Sequence, residues 1–329
     1  EAGISLDGEL ELRYRGRSER LKVLGESEFS SALLRLSRSG QRIVAFLEGE
    51  GERAPLGQAN ADLGRFVGTL AARGVHAVAL PLAGTGKVPD NTDLVVIANP
   101  KVALAPALAE ALDAYVERGG ALLWLIEPDE PALAAGGGLD RLAVTLGVRV
   151  LPGSVVDAGG QAFGLSDPSF IALTDYPPHA ITAGLDLTTL LPQAAALAQV
   201  SGARFAFAPL LRSGQRSWNE TGHIPRAGED AATIRQDAAA GEIPGPLDLG
   251  FALTRVSPQP GKREQRIVVL GDGDFLSNSF LGNGGNRELG QRVFDWLLGD
   301  DAQVSVPDRS APRSEEHTSE LQSLRQLVC

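Results

Sequence analysis

Asp93-Leu-Val-Val-Ile-Ala98 is almost wholly apolar and is closed by Asn99-Pro100. Branched residues without polar alternation suit a strand covered on both faces, as in a parallel sheet with helices above and below. Similar runs flank it at Arg42-Ile-Val-Ala-Phe-Leu47, Val75 to Leu80, Ala121-Leu-Leu-Trp-Leu-Ile126 and Arg266-Ile-Val-Val-Leu270. Helical spacing lies between them. Leu63, Phe66, Val67 and Leu70 share one face of a helix expected from about Asn60 to Arg73, which Gly74 stops. Pro106 opens another, with Leu108, Leu112, Tyr115 and Val116 inward and Gly119-Gly120 at its end. A shorter helix near 139 to 146 leads to a strand at Val148 to Leu151, and a last helix runs from about Arg287 to Leu298. This alternation predicts an α/β fold: a three-layer sandwich on a parallel sheet, with right-handed crossovers.

The flanks read differently. Glu9 to Tyr14 and Arg20 to Leu24 alternate apolar and polar residues around Gly16, the pattern of a hairpin with one wet face. Ser27 is placed to cap a helix through about Leu36, with Phe29, Leu33 and Leu36 on one side. From 153 to 262 the periodicity weakens. Short strands are expected at 194 to 200 and 247 to 254, and a long polar loop over 212 to 246. The expected division is therefore a hairpin and helix at 1–40, an α/β core at 41–152, an elaborated middle at 153–262, a returning strand and helix at 263–300, and a linker at 301–312.

Arg313-Ser-Glu-Glu-His-Thr-Ser-Glu-Leu-Gln-Ser323 is what a common sequencing-library adaptor encodes in one frame, so 313–329 reads as an artefact tail. The single cysteine, Cys329, falls within it, which leaves the rest without a thiolate nucleophile or a disulfide. Methionine is absent, the mark of a fragment or a processed form. A net charge of -11 argues against nucleic acid as a partner, since phosphate binding needs a basic surface. No stretch reaches the roughly 18 apolar residues of a membrane span.

Several residues invite chemistry. Gly49-x-Gly51-x-x-Ala54 follows a strand and loosely matches a dinucleotide fingerprint, but Glu50 and Glu52 would repel a pyrophosphate and Pro55 separates the loop from its helix. Ligands of open α/β sheets do bind at the carboxyl edge, which makes Glu48, Glu50, Glu52, Asn99 and Glu127 candidate ligand contacts. Asp272 and Asp274 end a strand, with Asn278 nearby. Such acids can hold Mg²⁺, although the plainer role is to bond turn amides and cap a helix. Trp218 is either a binding aromatic or a packing anchor. The chain has no Gly-x-Ser-x-Gly elbow, and His76, His179 and His223 lack metal-ligand spacing.

Taken in order, Phe29 to Leu36, Val44 to Arg53, Gly86 to Lys101, Leu112 to Leu123, Leu210 to Glu220, Gly271 to Asn278 and Phe294 to Leu297 resemble one family. It comprises the auxiliary proteins of uncharacterised ABC-type transport systems, including GldG-like components of gliding-motility transporters. The resemblance implies a class I glutamine amidotransferase-like fold without its catalytic cysteine. It further implies an extracytoplasmic (periplasmic) domain at the cell membrane, tethered by flanking helices beside ABC permease and ATPase subunits. It supplies no catalytic residue and no cofactor, so the expected role is non-catalytic binding or gating. The alternatives are an enzyme of the amidotransferase-like fold, such as a metal-dependent hydrolase using Asp272 and Asp274, or a ligand- or glycan-binding module using Trp218.

Overall fold

A computed structural model describes residues 10–14, 17–21, 29, 32–33, 36, 42–128, 131–133, 137–225, 234–262 and 264–300. The expected linker and artefact tail, 301–329, lie outside them. Strands β1 (Leu10–Tyr14) and β2 (Arg17–Leu21) form a separate antiparallel pair, with Leu10 opposite Leu21. Among the helical residues that follow, Ala32 and Leu36 are buried while Phe29 and Leu33 face solvent. The inward stripe is therefore set by Ala32 and Leu36, and Phe29 and Leu33 are not part of it. Ser27 lies outside the described residues.

The core strands are β3 (Arg42–Leu47), β4 (Val75–Leu80), β5 (Leu94–Ala98), β6 (Ala121–Leu125) and β15 (Glu264–Leu270). They run parallel in the order β4-β3-β5-β6-β15. β5 is buried at every residue, as its unbroken apolar composition requires. The helices are α1 (Gly64–Ala72), α2 (Leu82–Thr85), α3 (Pro106–Glu117), α4 (Leu139–Leu146) and α5 (Asn286–Leu297). Phe66 and Leu70 of α1 join Val293 and Phe294 of α5 against Phe46, Val96 and Val268 on one sheet face. Leu112 and Tyr115 of α3 and Leu142 of α4 pack on Val95, Ile97 and Trp124 on the other. Successive strand residues point to opposite faces, so each strand feeds both layers.

The sheet is mixed, where a parallel one is expected. β14 (Asp248–Val256) returns into β15 through a short connection, which forces an antiparallel pair. β12 (Ala206–Arg212) and β11 (Leu197–Gln199) pair antiparallel with β14, and β7 (Val148–Val150) closes the sheet on β11. α1 also starts later than Asn60. Asp62 accepts the amides of Ala59 and Ala54 at 2.8 and 3.3 Å, which holds the chain in a turn before the helix.

The middle region is more ordered than its polarity predicts. β8 (Ser154–Asp157) pairs with β13 (Ser217–Glu220), and all four residues of β13 are buried. β9 (Phe170–Leu173) and β10 (Thr189–Pro192) make a further antiparallel pair. The expected loop at 212 to 246 is therefore interrupted by a buried strand. Residues 226–233 of it lie outside the described residues.

Candidate functional site at the carboxyl edge

Three core strands deliver charged residues to one place. Leu270 of β15 lies opposite Leu125 of β6, and Ile126 donates its amide to Leu270 at 2.8 Å. Glu127 and Asp272 each follow that pair by two residues, so the register itself brings them together. One carboxylate oxygen from each of Glu127, Asp272 and Asp274 lies within 4.8 Å of the others.

Arg53 comes from the loop after β3. Its amide bonds Ala98 at the end of β5, at 3.0 Å. Its guanidinium meets Glu127 Oε1 at 2.7 Å and Asp274 Oδ1 at 2.8 Å, and also donates to Ala61 O at 3.0 Å. The Gly273 amide donates to Glu127 Oε1 at 3.0 Å, and the Asp274 amide to Asp272 Oδ1 at 2.6 Å. Arg53, Glu127 and Asp272 are buried, while Asp274 is partly open.

Burial pushes the Glu127 carboxyl up to about 7, against the pull of Arg53. Burial, then the neighbouring Glu127 and Asp274, raises Asp272 well above the usual carboxylate range. Burial works against the charge on Arg53, but Glu127 and Asp274 hold its guanidinium above the ordinary value. Three carboxylates thus share one guanidinium in a largely dry place.

The other candidate residues have separate positions. Asn99 is buried with φ 54, in the left-handed region that Asn tolerates, and donates its amide to Leu125 O. Glu48 is exposed at the end of β3. Glu52 folds back to accept the Glu50 amide at 2.8 Å, and the Glu50 carbonyl accepts the amides of Lys101 and Val102. The acidic loop is therefore fastened to the turn after β5. Asn278 accepts the Arg65 amide at 2.8 Å and donates to Gly57 and Ala59 carbonyls at 3.1 and 2.7 Å. Both ends of its amide are engaged in the turn that starts α1. Trp218 is buried in β13, with its indole N–H on Glu220 at 2.9 Å.

Arg53 is the site residue that sequence reasoning passed over. Its signal was a lone cation closing an acidic loop after a strand.

Comparison with known proteins bears on the fold and the lineage. The profile described as "ABC-type uncharacterized transport system" matches residues 41–295. No curated protein matches the chain. Among solved structures, the mmIFT52 N-terminal domain is similar at a TM-score of 0.54 and 18% identity, over 78% of this chain and 97% of that one. That likeness shows a shared α/β fold. A putative ThuA-like protein from Bacteroides uniformis (TM-score 0.41, 11% identity, 78% of this chain and 91% of that one) is more distant. So is a β-galactosidase from Rahnella sp. R3 (TM-score 0.41, 11% identity, 84% of this chain and 34% of that one).

Proposed function

The chain belongs to the ABC-type uncharacterized transport system family, and from that premise we propose that it is a non-catalytic accessory domain of a bacterial ABC-type transporter. In this reading it binds or gates on the extracytoplasmic side, beside GldG-like relatives, and works with a permease and an ATPase. The family match over residues 41–295 carries the reading.

Other observations support it. The chain has no cysteine before Cys329, so an amidotransferase-like fold here would lack its thiol nucleophile. Helices on both faces of a mainly parallel sheet are compatible with that fold. Among the described residues no helix is long and apolar enough to cross a membrane. A membrane tether, in this reading, would come from segments other than these helices.

The test is co-isolation. The tagged parent protein is expressed with the permease and ATPase encoded beside it, and membranes are solubilised in mild detergent. The expected result is a complex containing all three, with the tagged domain open to protease from the periplasmic face. Elution of the domain alone, together with turnover of an ester, amide or phosphate substrate, would overturn the reading.

A further inference from the structure

We propose that Glu127, Asp272 and Asp274 form a binding site for a hard divalent cation of the Mg²⁺, Mn²⁺ or Ca²⁺ class, at the joined ends of β6 and β15. The site is independent of the transporter reading and stands on the geometry of the cluster.

The first support is the donor set. All three side chains offer carboxylate oxygens, the ligands such ions take, with no sulfur or imidazole to favour zinc or copper. Oxygens on opposite sides of Ca²⁺ stand about 5 Å apart, and about 4 Å apart around Mg²⁺. One oxygen of each carboxylate lies within 4.8 Å of the others, inside the span of a Ca²⁺ shell.

The second support is independent of the acidity. Asp272 is only 1% exposed, and its Oδ1 is fixed by the Asp274 amide. Its Oδ2 is buried and accepts no hydrogen bond. A buried carboxylate oxygen without a donor is costly, and a cation in the cluster would satisfy it. Arg53 does not satisfy it: Nη1 and Nη2 are taken by Asp274, Ala61 and Glu127, and the buried Nε makes no hydrogen bond. With all three acids ionised, as a bound ion requires, the guanidinium offsets one charge and a divalent ion the other two. Arg53 is then a positioning residue that fixes Glu127 and Asp274 by one oxygen each.

Gly273 completes the cradle. A Cβ there would stand 3.1 Å from the Leu125 Cβ and 3.2 Å from Glu127 Oε1, so a side chain at this position would press on the acids. Asp274, with its side chain 25% exposed, is the side from which an ion enters.

The experiment titrates Mn²⁺, Ca²⁺ and Mg²⁺ in turn into the chelator-treated full chain, by calorimetry and, for Mn²⁺, by loss of the free-ion EPR signal. One ion per chain is expected. Asp274→Asn should weaken it by at least about tenfold, as should Asp272→Asn if that variant folds. Glu110→Gln, a surface acid on α3, should leave it unchanged. Absence of binding by every ion to a folded chain would overturn the proposal and leave Arg53 as the cluster's own counter-charge. So would binding that persists undiminished in a folded Asp274→Asn variant.

Discussion

At the scale of single residues, Trp218 and His179 make opposite uses of burial. Trp218 fills the β13–β8 pair, and its N–H is satisfied by Glu220. Trp218→Ala should lower the unfolding free energy by about 3–5 kcal/mol in urea denaturation. Trp218→Phe should cost less, because the ring packing survives and mainly one hydrogen bond is lost, on the order of 1 kcal/mol. His179 accepts the Ile181 amide at Nδ1, at 3.1 Å, and stands edge-on to Trp296. Protonating Nδ1 would break that bond. Burial and then the Arg266 charge hold the imidazole below its usual value, with Glu264 pulling the other way. The unfolded chain therefore takes up the proton first. Stability should fall as pH drops below about 6.5, the ordinary imidazole value. His179→Gln should flatten that part of the curve, measured as urea midpoints between pH 5.5 and 7.5. A slope unchanged in the variant would assign the effect to other groups.

At the scale of elements, α1 and α5 meet through a glycine. Phe66 and Phe294 pack edge to face with centroids 5.2 Å apart. A Cβ at Gly290 would press on Leu276 and come within 2.9 Å of the Phe66 ring. On an exposed helix Gly→Ala gains about 1 kcal/mol. Here the overpacked contact should dominate, and Gly290→Ala should destabilise by about 1–3 kcal/mol in thermal unfolding. The longer helices and the core strands β3, β4, β5, β6 and β15 were legible because apolar runs, prolines and glycines are local signals. β8, β10 and β13, each buried at every residue, were not. In β13, Ser-Trp-Asn-Glu reads as loop, and its burial is offset by partners distant in sequence: Asn219 donates to Pro152 O and accepts from the Ile243 amide. The site was legible only in pieces. Glu127, Asp272 and Asp274 each show as strand-end acids, but their meeting depends on β15 lying beside β6, and no local spacing displays that pairing.

At the scale of the whole molecule, one sheet joins the early strands to the late ones. Trp124 lies in one helical layer's core, Trp296 in the other's, and Trp218 in the middle region. Tryptophan fluorescence and far-ultraviolet circular dichroism should therefore report one coincident unfolding transition in urea. Two resolved transitions would show that the middle region melts by itself. The seat of β15, between β6 and β14, also bears on how the chain is made. Leu122 leaves the ribosome long before its partner Ile267. At roughly 5–20 residues per second, β6 presents a bare apolar border for on the order of ten seconds. During that interval the open edge of Ala121–Leu125 is a place where the nascent chain can mispair.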